Sequence, residues 1–218
     1  VKTRGPALQP HELGRVDLIL VSHDHHADNL DRAGRALLPR ATHVLTTASG
    51  ARRLNAANTQ GLTTGQTIAL TMDGKPRLNI TATPCRHGPP LSRAIVGDVI
   101  GFAIRGEGAA DVALWVTGDT VLCRAVLRTA RNLDVDVAIV NAGGVGFPLT
   151  GPLKYTMTGV DAVRLITELA PRVALAAHYD GWSHFRDGEE GMRHAVDGAP
   201  ASTRALIRWL PDGEPVDI

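Results

Sequence analysis

Asp17-Leu-Ile-Leu-Val-Ser-His-Asp-His-His-Ala-Asp-Asn29 is the stretch that decides how this chain is read. An apolar run of strand length, Val16 to Val21, empties into three histidines and two aspartates within His23 to Asp28. So many titratable groups in one short loop are costly to desolvate and repel one another when charged, unless a cation compensates. Metal binding is therefore the first chemistry the segment suggests.

The same arrangement recurs along the chain. Leu78 to Arg86 runs into His87, Ala113 to Gly118 into Asp119, and Val173 to Ala177 into His178. Imidazole and carboxylate suit a borderline ion such as zinc, and a catalytic centre uses about three protein ligands per ion with an open position for water. Strand ends hold such groups on a rigid sheet while loops leave an opening. Taken singly, each has a plainer explanation. A lone histidine after a strand is usually a surface or hydrogen-bonded core residue, and Asp119, within Thr117-Gly118-Asp119-Thr120, suits a turn beside a helix. Four such strand ends in one chain point to a shared site.

Thr42 to Thr46, Val99 to Ile104, Val112 to Val116 and Val135 to Val140 also read as strands, being short and β-branched or aliphatic. Val160, Val163, Ile166 and Leu169 repeat at helical spacing behind Thr158 and Asp161, the signature of a capping box. A second helix is predicted over Val121 to Leu133 with Thr120 as its N-cap, and a third over Leu30 to Leu38, stopped by Pro39. Gly65, Gly74, Gly88, Gly97 and Gly101 punctuate a middle third in which strands follow one another through turns. Arg186 to Thr203 reads as a short helix and a surface loop. No repeat, low-complexity tract or linker interrupts the chain, so residues 1–218 are read as one mixed α/β domain.

Composition narrows the class further. Apolar residues make up 44% and charged residues 21%, ordinary globular usage that excludes long disordered stretches. Lys and Arg number 23 against 22 Asp and Glu, so no strongly basic surface is present and nucleic acid is not an expected partner. Two cysteines, Cys85 and Cys123, supply neither a disulfide framework nor a thiolate zinc site. No apolar run approaches the roughly 18 to 20 residues of a membrane span, and the first residues lack a signal-peptide core. A cytoplasmic, reducing compartment is expected. The chain begins at Val1, which suggests a fragment or a processed product, and its many arginines and three lysines suggest a GC-rich bacterial source.

The order His23-x-His25, His87, Asp119, His178 resembles that of the metallo-β-lactamase-fold hydrolases, whose hallmark is His-x-His-x-Asp-His after a strand, then a separate His, an Asp in a Thr-Gly-Asp-like turn and a late His. Within that superfamily, Ser22-His23-Asp24-His25 with Asp28-Asn29-Leu30-Asp31, the Thr117–Thr120 turn and His178 look most like the branch of ascorbate-phosphate lactonases and N-acyl-phosphatidylethanolamine phospholipase D. The resemblance covers Val16 to Phe185. It implies an αββα sandwich and a metal-dependent hydrolase of a small molecule carrying an ester, lactone or phosphodiester. One or two zinc ions are implied, with manganese or iron as alternatives. His23, His25 and His87 would hold one ion, Asp28 and His178 the other, and Asp119 would bridge them. Asp28 would also orient the attacking water and take its proton. Asp24 would at most fix a histidine tautomer.

Two departures accompany the resemblance. One extra residue precedes Asp28, and Asn29 stands where the second site's histidine is usual, so that site is expected to be weaker, absent or completed by His26. Only 22 residues precede His23, which predicts a truncated chain or a first sheet lacking N-terminal strands and exposing an edge. His178 to Phe185 holds three of the chain's eight aromatic residues, and Tyr179, Trp182 and His184, with His26, are expected to line the substrate pocket. Asn141 to Gly146 is read as a flexible wall of that pocket. An amidohydrolase barrel needs about 250 residues and usually puts its Asp last, which ranks it lower. A nuclease of the same fold would want a basic face. A non-catalytic metal-binding domain that has lost one site is the alternative of a different class.

Overall fold

The computed structural model describes residues 1–218. Two sheets carry the site. The first has three parallel strands in the order β1 (Val16–Leu20), β2 (Ala41–Thr47), β3 (Thr59–Leu62), with β1 at an edge. The second has seven strands. β4 (Thr67–Leu70), β5 (Leu78–Pro84), β6 (Ile100–Gly106) and β7 (Val112–Val116) pair antiparallel in sequence, and β8 (Val135–Asn141), β9 (Val173–Ala177) and β10 (Ile207–Arg208) continue from β7 in parallel. Because β6 alone reverses between β5 and β7, strands β5, β7, β8 and β9 run the same way. Their C-terminal ends, which lead into His87, Asp119, Asn141 and His178, therefore open onto one edge of the sheet.

Three separate apolar clusters show how the layers stack. Leu45 and Leu62 of the first sheet meet Ile80, Ala82, Ile100 and Phe102 of the second, so the sheets pack face to face. On the outer side of the second sheet, Val112, Ala138, Val140 and Ala174 pack against α4 (Arg124–Asn132), α5 (Gly159–Leu169) and α6 (Gly188–Asp197) through Val126, Leu165, Ile166 and Met192. On the outer side of the first, Val44 and Ile19 pack with Leu30, Leu38 and Leu54, the last from α2 (Ala48–Leu54). Three interlayer cores require four layers, helix, sheet, sheet, helix, and this is the expected αββα sandwich.

The capping box of α5 forms as its sequence predicts: the Asp161 N–H donates to Thr158 Oγ1 at 3.1 Å and the Thr158 N–H to Asp161 Oδ2 at 3.2 Å. Thr120 does not cap α4, which starts later behind Cys123. Its hydroxyl instead accepts from the Arg86 N–H at 2.9 Å and donates to the Val121 carbonyl at 2.9 Å, tying the turn of Asp119 to the loop of His87. The third predicted helix is shorter, α1 (Arg32–Leu37), capped by Asp31, and Pro39 falls inside a tighter 3-10 turn, Leu38–Arg40, that continues it. Arg186 to Thr203 is mostly helical, holding α6 and the start of α7 (Ala201–Arg204). A one-turn helix, α3 (Arg93–Val96), follows the His87 loop. No helix is long and apolar enough to cross a membrane.

Candidate metal centre

The ends of β1 and β5 bring three imidazoles together. His26 Nδ1 lies 3.2 Å from His23 Nε2 and 3.1 Å from His87 Nε2. An ion about 2.0–2.1 Å from each of several nitrogens in tetrahedral array sets those nitrogens about 3.3 Å apart, close to the 3.1 and 3.2 Å seen here. His87 donates from Nδ1 to the Tyr155 carbonyl at 2.8 Å, which fixes its tautomer and leaves Nε2 as a bare lone pair facing the group.

Asp28, Asp119 and His178 form a second group, their ligand atoms all within 4.8 Å of one another. His178 Nε2 is 3.4 Å from Asp119 Oδ2 and 3.8 Å from Asp28 Oδ2. Asp119 joins the two groups, since the same Oδ2 stands 4.0 Å from His23 Nε2. Its other oxygen accepts from the Asn141 amide at 2.8 Å. Asp119 Oδ2 and His178 Nε2 are buried and have no hydrogen-bond partner. Buried polar atoms are rarely left so, and an orphaned carboxylate oxygen beside an orphaned imidazole nitrogen is what a cation between them would satisfy. The donors present thus fit divalent metal. His178 itself has φ 58°, unusual for a residue other than glycine, and its carbonyl lies close against Gly143, where a Cβ would collide with it.

The electrostatics suit the same reading. Burial pushes the His23 imidazole down to about 4, and it also lowers those of His87 and His26, so all three are neutral at neutral pH, the form in which an imidazole can bind a metal. Burial alone would raise the Asp119 carboxyl, but His178, His23, His87 and the Asn141 amide outweigh it and bring the group down to about 2.

Inside the histidine motif the structure brings together a different pair from the one expected. His26, expected beside the substrate or in the second group, stands with His23 and His87, in the place expected of His25. The extra residue therefore falls before the second histidine of this group and not after it. His25 turns toward Asp24, 3.7 Å away, and its ring lies against Gly97, where any Cβ would collide with it. Asp24 fixes no ligand tautomer. It accepts from Arg53 through both oxygens, at 2.9 Å from Nε and 2.5 Å from Nη2, and this ion pair pins the loop to α2. Tyr179 packs on Trp209, ring centroids 5.9 Å apart, in the core behind the second sheet and away from the ligands. His184 does reach the site, with Nε2 2.8 Å from Asp28 Oδ2. Its ring is flanked by Phe147 and Trp182, at centroid distances of 5.5 and 5.7 Å. Asn141, taken from the sequence as the start of a loop, is a structural partner of Asp119; its place at the end of a strand parallel to those bearing ligands was the available signal.

A four-layered α/β sandwich that gathers imidazoles and carboxylates from the loops at the strand ends of both sheets is the metallo-β-lactamase fold. The chain belongs to the beta-lactamase superfamily domain family, whose pattern matches residues 2–179. It is 27% identical over 203 residues to a metal-dependent hydrolase of Thermofilum pendens, an overlap of 93% of this chain and 78% of that protein. Its fold is similar to that of an isothiocyanate hydrolase from Delia radicum gut bacteria, with TM-score 0.78 and 18% identity over 97% of this chain and 80% of the other. It is also similar to that of a metallo hydrolase from Ignicoccus hospitalis, with TM-score 0.69 and 21% identity over 93% and 79%. Family and relatives make the chain a metal-dependent hydrolase of this fold.

Two outcomes follow from the geometry. His26→Ala is expected to lose one ion per chain, whereas His25→Ala keeps the full complement, measured as metal content after dialysis; the reverse result would restore His25 as the ligand. Because burial holds His23 at about 4 instead of the usual 6.5, protons compete for this group only in distinctly acidic solution. Zinc retention is expected to persist at about pH 6 and to fail toward the lower value, and release centred on an ordinary imidazole titration would contradict this.

Proposed function

We propose that residues 1–218 act as one hydrolase domain on a small molecule bearing an ester, lactone or phosphodiester, with zinc as the metal and manganese or iron as alternatives. The observation that carries this reading is the junction at Asp119, which places the three-histidine group and the Asp28–Asp119–His178 group side by side. Bound there, divalent cations lower the pKa of water toward neutrality and polarise a carbonyl or phosphoryl oxygen. The attack then needs no protein nucleophile.

The chain's own groups supply the rest. Asn141 holds Asp119 in one orientation by its 2.8 Å hydrogen bond. Asp28, oriented from His184 through Oδ2, directs the attacking water and accepts its proton. His184 also begins an aromatic wall that continues through Phe147 to Tyr155, centroids 5.4 Å apart, and from Tyr155 to His87 at 6.0 Å. This wall runs past both groups, and it suits a substrate with a flat or apolar substituent next to the scissile bond.

The zinc-loaded protein, assayed on an aryl ester, a lactone, a bis-aryl phosphodiester, an acyl amide, a β-lactam and an isothiocyanate, is expected to turn over at least one of the first three. His87→Ala and Asp119→Ala are expected to lose that activity by more than about 100-fold at unchanged thermal unfolding, since removing even a residue behind a metal ligand costs 10- to 100-fold. Full activity in either variant, or metal uptake with no turnover of any probe, would overturn the assignment.

A further inference from the structure

Asn29 directly follows Asp28, at the position where the family resemblance places a histidine of the second group. Its amide is committed elsewhere. Nδ2 donates to the main-chain carbonyl of His23, and Oδ1 accepts from Ser22 Oγ at 3.1 Å. Ser22 Oγ in turn lies 3.0 Å from His23 Nδ1.

These contacts admit one arrangement of protons. Only the amide nitrogen can donate to a carbonyl, so the amide oxygen must face Ser22. A hydroxyl has a single proton, and here it goes to Asn29 Oδ1; the oxygen's lone pair is left for His23 Nδ1, which must carry the ring proton. His23 Nε2 is then a bare lone pair, and it is the atom that faces His26 Nδ1 at 3.2 Å. The circuit starts and ends on His23, is buried at Ser22 and His23, and uses both ends of the Asn29 amide. Aspartate at position 29 offers no donor, and leucine offers neither donor nor acceptor. The diverging nitrogens of an imidazole do not reproduce the parallel reach of an amide.

We propose that Asn29 is a positioning residue of the three-histidine group: through Ser22 it fixes the tautomer of His23, and through the His23 carbonyl it holds the main chain that carries that ring. Position 29 has thus left the ligand set and serves the neighbouring ion. This rests on the reading of the two groups as metal sites.

The test is titration of the metal-free full chain with zinc against a chromophoric chelator, and with cobalt(II) followed by its visible absorption, in the wild type and in Ser22→Ala, Ser22→Thr, Asn29→Leu and Asn29→His. The step to follow is the one that His26→Ala abolishes. Ser22→Ala and Asn29→Leu are expected to weaken it about 10- to 100-fold, the usual loss when the partner of a ligand histidine is removed, and to shift the cobalt spectrum. Ser22→Thr, which keeps the hydroxyl, restores both. Asn29→His strengthens neither step. Unchanged affinity and spectrum in Ser22→Ala and Asn29→Leu would overturn the proposal, as would a tighter second step in Asn29→His. Ser22→Ala keeps the test decisive should Asn29→Leu fail to fold. A wild type that takes up no ion at all would instead overturn the metal reading beneath it, and the two failures are therefore distinguishable.

Discussion

His26 Nδ1 lies 3.2 Å from His23 Nε2 and 3.1 Å from His87 Nε2, and 4.0 Å beyond His23 Nε2 stands the Asp119 carboxylate oxygen, buried and without a hydrogen-bond partner. At least two of the three nitrogens face inward as lone pairs, because their protons are used on the far side of the ring, toward Tyr155 and Ser22. Lone pairs so close repel, and burial removes the water that would relieve them. One ring proton on His26 Nδ1 cannot serve both facing nitrogens fully, and a divalent cation among the three would turn the remaining repulsion into attraction.

The restraint comes from the sheets. His87, Asp119 and His178 follow within three residues of the ends of β5, β7 and β9, interior strands whose registers are fixed by neighbours on both sides, so the chain delivers each of them from a fixed point. The loop bearing His23 and His26 is fastened separately. The Ile100 N–H donates to the Ser22 carbonyl at 3.1 Å, which joins the end of the first sheet to the start of β6 in the second. Arg53 grips Asp24 from α2. Gly97 lets the unused His25 ring lie flush against the backbone. Packing between the sheets thus sets the distance between donors from different strands, and the polar fastenings set the orientation of each ring.

Much of this was legible in the sequence because strand-borne ligands carry two signals at once, an apolar run of the right length and a titratable residue at its end. The apolar runs read as strands all appear as strands, and the order of ligand types along the chain was enough to suggest the fold. What could not be read has physical causes. Thr59–Leu62 and Thr67–Leu70 are four residues long and partly polar, and their pairing comes from the sheets they join and not from their own propensity. The choice between His25 and His26 depends on which way a loop turns, and an inserted residue shifts every side chain after it without marking where it was absorbed. Thr120 resembled a helix cap because a hydroxyl before a helical stretch usually is one; here the nearby Arg86 main chain competed for it and won. Asn29 looked like a lost ligand, since a single position compared with a family pattern shows what is missing and not what the replacement touches.

The most direct measurement of the central claim is anomalous diffraction from crystals of the zinc-loaded protein, recorded on both sides of the zinc absorption edge. The structure predicts one peak enclosed by His23 Nε2, His26 Nδ1 and His87 Nε2 and a second beside Asp28, Asp119 and His178. Density held by His25, or no anomalous signal among these side chains, would contradict it.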